Sequence, residues 1–127
     1  MKPTYPRLPD AELEVMKALW SLGDYPAHTG DIAQKLDKSW KAPTLLKLLS
    51  RLEERGFVAG TKEGRSNAYT PLVKEADYLA SESRSFLERL HGGSLSSLVA
   101  SLYPEVSLTQ EDLAALERIL EKGGEEP

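Results

Sequence analysis

A mostly α-helical fold is predicted by three features of the sequence: helical apolar periodicity in three segments before Gly56, a glycine-centred hairpin signal after it, and helical periodicity again from Lys74 onward. Helix, short helix, longer helix and hairpin follow one another in the order of a winged helix-turn-helix with a small β-hairpin wing. The expected organisation is a winged-helix domain over residues 1–72 and an all-helical region over residues 73–127.

The first helix is expected from about Asp10 to Leu22. Asp10 is placed as its N-cap, and Glu12 and Glu14 fall in the first turns, where the helix dipole favours negative charge. Leu13, Met16 and Trp20 share a stripe that Val15, Ala18, Leu19 and Leu22 widen, so this helix packs on more than one side. Gly23-Asp24-Tyr25-Pro26 ends it. Thr29 is the expected N-cap of a short second helix ending near Asp37, with Ile32, Ala33 and Leu36 buried. Pro43 falls in the first turn of the third helix, where proline is best tolerated, and Gly56 closes that helix after Arg55. Leu45, Leu48, Leu49 and Leu52 are spaced i, i+3, i+4, i+7 and form its buried stripe. Two β-prone runs, 57–61 and 66–70, flank the loop Lys62-Glu63-Gly64-Arg65, with Tyr69 expected in the core opposite Phe57.

In the second part, a helix over about 74–91 is expected to turn Leu79, Phe86 and Leu90 inward and to stop at Gly92-Gly93. A short helix over 94–103 places Leu95, Leu98, Val99 and Leu102 on one face and is followed by Pro104. The last helix starts at Thr109, with Asp112 at N3 in a variant of the capping box and Leu108 and Leu113 at the staple positions. Leu113, Leu116 and Ile119 form its stripe, and Gly123-Gly124 is expected to end it. A helical region this small is marginal alone, because its core offsets too little chain entropy. These ten apolar residues are therefore read as a homodimerisation surface, closed twofold dimers being the commonest assembly. Folding back onto the first domain is the alternative.

Composition narrows the function. The chain has 127 residues and no cysteine, which excludes disulfides, thiolate metal sites and a cysteine nucleophile. Its two histidines are His28 and His91. No glycine-rich phosphate loop, His-Glu-x-x-His motif or Gly-x-Ser-x-Gly elbow is present. No catalytic residue, metal or cofactor is expected, and the chain is not read as an enzyme. No apolar run approaches the ~20 residues of a membrane span, and residues 1–8 hold no apolar stretch of the signal-peptide kind. A cytoplasmic protein without a membrane partner is the expectation.

The net charge of -4 hides an uneven distribution. Residues 1–72 carry eleven Lys/Arg against nine Asp/Glu, whereas residues 73–127 carry five against eleven. Within 35–65 eight basic residues face four acidic ones. Such a segment at a helix-turn-helix points to double-stranded DNA. With the leucine stripe turned inward, Lys47 points outward, and Thr44 and Arg51 lie on the flanks of that face. The N-terminal part of this face enters the major groove in a helix-turn-helix. Thr44 and Lys47 are the base-edge candidates, since threonine meets a thymine methyl or an acceptor and lysine meets guanine O6/N7. Lys41, just before the helix, is placed for phosphate, and Arg51 lies further along. Lys62 and Arg65 in the hairpin loop suit phosphate or minor-groove contact. The competing reading is a winged-helix module that binds protein without specific DNA binding, consistent with the acidic total.

The residues also carry a resemblance. Asp10-Ala11-Glu12-Leu13-Glu14-Val15-Met16 with Leu19-Trp20 resembles the opening helix of the penicillinase and methicillin-resistance repressor family. Lys62-Glu63-Gly64-Arg65 with Tyr69-Thr70-Pro71 resembles its wing, and the likeness continues through Ser85-Phe86-Leu87 to Gly93 and Leu95 and over Leu108 to Leu120. The resemblance implies a homodimeric winged-helix repressor that binds inverted-repeat operators. In the best-known members a membrane sensor metalloprotease detects a β-lactam and the repressor is cut in its dimerisation region, so the resemblance implies a sensor protease as a partner. Copper-responsive relatives carry a cysteine-rich tail, which this chain lacks. The family's Asn-Phe cleavage pair falls at Ser101-Leu102 here. Pro43 and Leu46 occupy outward positions that are polar in the antibiotic-resistance members, which implies a different operator sequence.

Overall fold

Burial of one leucine face decides how the first part of the chain folds. In the computed structural model, which describes residues 3–36 and 39–125 with side chains to 122, Leu45, Leu48, Leu49 and Leu52 are all buried. They lie on α3 (Ala42–Glu54), which packs against α1 (Asp10–Leu22), α2 (Thr29–Lys35) and β2 (Val58–Glu63). From α1, Val15, Met16, Ala18 and Leu19 enter the same core, with Leu13, Trp20 and Leu22 partly buried around them. β2 pairs antiparallel with β3 (Ser66–Pro71), and β3 pairs on its other side with β1 (Ala27–His28), giving the strand order β1-β3-β2. This is the predicted winged helix-turn-helix with its hairpin wing.

Several details depart from expectation. Pro9, not Asp10, stands at the N-cap of α1, its carbonyl accepting from Leu13 N at 2.9 Å, so Asp10 is the first helical residue. His28 rather than Thr29 caps α2, and Ala33 is exposed while Ile32 is buried. α2 ends at Lys35 with Leu36 already extended, and its expected end at Asp37 lies outside the described residues. The loop between the wing strands shrinks to Gly64-Arg65, because Lys62 and Glu63 pair with Asn67 and Ser66. Gly64 has φ 63, and among the described residues no non-glycine residue has positive φ, a pattern suited to a two-residue II′ turn. In this register Tyr69 lies opposite Gly60 and Ala27, not Phe57, although it is buried as expected. The short strand β1 had no counterpart in the sequence reading.

Cα packing divides the chain into two units, Met1–Ser85 and Phe86–Pro127, a later division than the expected 72/73. The reason is α4 (Glu75–His91), whose first half belongs to the first unit. Tyr78 is buried against Phe57 (ring centroids 5.6 Å apart) and Trp20 (6.0 Å). The N-terminal segment straps it down: Tyr78 Oη accepts from Leu8 N at 2.9 Å, and Ser81 Oγ from Tyr5 N at 2.8 Å. Tyr78 and Ser81 are thus the inward residues of α4, and Leu79 is exposed.

Phe86–Pro127 holds the end of α4, α5 (Leu95–Leu102) and α6 (Gln110–Glu125). Its helix starts follow local chemistry. Ser94 Oγ accepts from Ser97 N at 3.1 Å at the head of α5. Thr109 and Asp112 exchange backbone-to-side-chain hydrogen bonds of 3.0 Å in both directions, the expected capping box. α6 runs through Gly123-Gly124 to Glu125, glycine lowering helix stability by about 1 kcal/mol without ending a helix by itself. No side chain described in this unit is buried. Leu98 is half-buried; Phe86, Leu90, Leu95, Val99, Leu102, Leu113, Leu116 and Ile119 are exposed. The expected inward packing of Phe86 and Leu90 fails within one chain, since no apolar layer of the same unit covers them.

One buried charge shapes the first unit. Glu12 is 2% exposed and its carboxylate accepts from Arg55 Nε at 2.6 Å, joining α1 to the C-cap of α3. Removing one partner of a fully buried pair costs about 3–5 kcal/mol, and the 37% exposure of the Arg55 side chain reduces this. Arg55→Ala is expected to destabilise the fold by about 2 kcal/mol, read as a lower urea midpoint at unchanged slope.

Candidate nucleic-acid interface

With the leucine face committed, the opposite side of α3 is fixed by helical geometry. Thr44, Lys47 and Arg51 are exposed there, together with Pro43, Leu46 and Ser50. Lys41 is exposed at the N-cap, its carbonyl accepting from Thr44 N at 3.0 Å and Leu45 N at 3.2 Å. No side chain caps this end, and no acid occupies its first turn. The partial positive charge of the helix start is therefore left without an internal anion, next to Lys41, and such an end suits phosphate.

The wing begins where α3 ends. Glu53 Oε2 on α3 accepts from Gly60 N on β2 at 3.1 Å. A Cβ on Gly60 would stand 3.1 Å from Tyr69 Cε1 and 3.2 Å from Glu53 Oε2, so glycine lets strand, ring and carboxylate meet. From this root the strands run out to Lys62, in the strand opposite Asn67, and to Arg65, in the turn. Both are exposed.

All six predicted contact residues thus lie at the surface, four at or along α3 and two on the hairpin whose root is fastened to α3. None of the six side chains forms an ion pair or hydrogen bond with another described residue. Arg55 belongs to the same basic segment, but its guanidinium is held by Glu12. Sequence reasoning missed His28, Thr29 and Ser66. His28 contacts Ser66 Oγ through Nδ1 at 3.0 Å and Glu63 Oε2 through Nε2 at 3.3 Å. Thr29 Oγ1 donates to Asn67 O at 3.4 Å. A usable signal was Asp31, three residues after His28 at capping-box spacing, whose carboxylate accepts from His28 N.

Known proteins similar to this chain bear on its fold and family. A sequence model of the family described as penicillinase repressor matches residues 8–122. The penicillinase repressor of Bacillus licheniformis is 37% identical over 119 residues, covering 92% of this chain and 91% of that one. The methicillin resistance regulatory protein MecI of Staphylococcus aureus strain N315 is 30% identical over 113 residues, covering 88% and 91%. Among solved structures, the DNA binding domain of the repressor BlaI superposes with a TM-score of 0.50 at 38% identity, over 61% of this chain and 94% of that one.

Tyr69 at the wing root gives a test in alkaline solution. Burial raises its phenol above the ordinary value of 10.0, with a smaller opposing effect from the Asn67 hydrogen bond and a further rise from Glu53. Above pH 10 the unfolded chain releases a proton that the folded chain retains, so stability present below pH 10 falls as pH rises through the folded value. Tyr69→Phe is expected to lessen the fall in urea midpoint between pH 9 and pH 11, the wild type losing more over that interval.

Proposed function

Because the chain belongs to the penicillinase repressor family, we infer that it is a DNA-binding transcriptional repressor which, as a homodimer, occludes a promoter at an inverted-repeat operator. It belongs to a repressor family, not an enzyme family. The observation that carries the reading on this chain is the exposure of Lys41, Thr44, Lys47 and Arg51 on the outer side of α3. In this reading Thr44 and Lys47 meet base edges, Lys41 meets phosphate and Arg51 adds a DNA contact on the flank. Lys62 and Arg65 on the wing add backbone or minor-groove contact.

The homodimer is supported by Phe86–Pro127, in which no described side chain is buried. A second copy supplies the missing layer, with Leu79, Phe86 and Leu90 of α4, Leu95, Leu98, Val99 and Leu102 of α5, and Leu113, Leu116 and Ile119 of α6 at the interface. In this reading 1–72 is the DNA-binding part and 73–127 the dimerisation part. Twofold symmetry then presents two copies of α3 to half-sites about one helical turn apart. No helix among the described residues is long and apolar enough to cross a membrane, and a cytoplasmic location agrees with action on DNA. A sensor protease acting in the family manner meets Ser101-Leu102 at the end of α5 in place of Asn-Phe.

Selection of duplexes from a random library by the purified full chain at about 150 mM salt tests the reading, since non-specific binding is already weak there. Enrichment of an inverted repeat is expected; enrichment of no sequence by a folded dimer overturns the reading in favour of a protein-binding module. On the enriched duplex, Lys47→Ala is expected to weaken binding by about 1–3 kcal/mol and to relax preference at one base pair. Lys62→Ala is expected to weaken all sequences alike and to lower the slope of log affinity against log salt by about one. Titration in a gel-shift assay checks both.

A further inference from the structure

We propose that His28 is a positioning residue for the wing, its imidazole replacing a third strand along the end of the hairpin and so fixing where Lys62 and Arg65 meet DNA. The proposal rests on the DNA-binding reading above. β1 is two residues long and pairs with β3 only at Tyr69 and Ala68. The last two rungs of the wing, Lys62 with Asn67 and Glu63 with Ser66, are therefore two-stranded. An unsupported two-stranded ribbon is marginally stable in water.

Side chains take over where the backbone of β1 stops. The His28 ring touches both members of the final rung, Ser66 through Nδ1 at 3.0 Å and Glu63 through Nε2 at 3.3 Å. Thr29 donates to the carbonyl of Asn67 in the rung before it. Ser66 Oγ also donates to Glu63 O at 3.3 Å, closing the turn from within. His28 is itself held at the head of α2 by the Asp31 carboxylate on its amide. The start of α2 thus braces the tip of the wing. The brace also occupies Glu63, the acid between Lys62 and Arg65, leaving those two cations for phosphate.

The His28 and Glu63 side chains are 42% and 49% exposed. Exposed pairs of this kind add little to global stability, so the effect falls on the wing and on DNA binding, not on folding. The test uses the full chain with His28→Ala, His28→Asn, Ser66→Ala and the double variant His28→Ala/Ser66→Ala. Without DNA, His28→Ala is expected to accelerate amide hydrogen exchange at 62–67 by about threefold or more while leaving α3 unchanged. On the duplex enriched by selection it is expected to weaken binding about three- to tenfold and to lower the salt slope by about one, with His28→Asn recovering part of the loss. The double variant should bind about as His28→Ala does, because both changes break one contact. Unchanged exchange at 62–67 overturns the brace. Accelerated exchange with unchanged affinity and slope overturns the positioning role. Additive losses for the two single variants overturn it as well, since the imidazole would then be touching DNA itself. If the wild-type chain enriches no duplex, the DNA-binding reading fails and the positioning role with it, while exchange still decides whether His28 braces the hairpin.

Discussion

Arg55 reaches a Glu12 carboxylate that water hardly touches, and this contact ties α1 to the end of α3. A desolvated carboxylate tolerates few arrangements, because an uncompensated charge there costs several kcal/mol. The leucine stripe alone lets α3 slide along an apolar surface; a charged hydrogen bond of 2.6 Å does not. Once the end of α3 is held, so is Glu53, two residues before Arg55, which carries the wing root through Gly60. The leucine stripe fixes which face of α3 looks outward, and the half-exposed Arg55 on the buried Glu12 ties the end of the helix, next to the wing root, to α1.

The parts of the fold that repeat with a helical period were readable in the sequence. Leu45, Leu48, Leu49 and Leu52 admit one buried face, and the outward placement of Lys47 follows by geometry. Thr109 and Asp112 carry a local hydrogen-bonding signal that needs no tertiary context. What escaped the sequence depends on contacts distant along the chain. Glu12 looks like a first-turn acid favoured by the helix dipole until Arg55, forty-three residues later, is placed beside it. The wing register turned on the positive φ of Gly64, which shortened the loop and drew Lys62 and Glu63 into the strand. A strand as short as Ala27–His28 has no period to read. Leu79 shows the opposite failure, since its spacing matches a buried stripe while Tyr78, one residue earlier, takes the inward place through the strap at Tyr5 and Leu8.

The two units meet different physical conditions. Met1–Ser85 closes an aromatic and aliphatic core around Tyr78, Phe57 and Trp20. Phe86–Pro127 forms its helices through Ser94 and Thr109 caps yet leaves most of its leucines exposed, and helices this short gain most of their stability from packing. A fold with one finished core and one unfinished apolar surface suits a protein that works as a pair. The charge distribution fits the proposed division of labour: the basic excess lies within residues 35–65, which include α3 and the wing's Lys62 and Arg65, and the acidic excess lies in residues 73–127, the proposed dimerisation part.

The proposed DNA-contacting surface is the outer face of α3 together with the wing. Backbone amide chemical shifts of the isotopically labelled full chain, followed as the selected duplex is added, test it most directly. The account predicts the largest changes at 41–51 and 62–66, with the buried core residues of α1 nearly unmoved. Largest changes elsewhere, with those two segments unaffected, would contradict it.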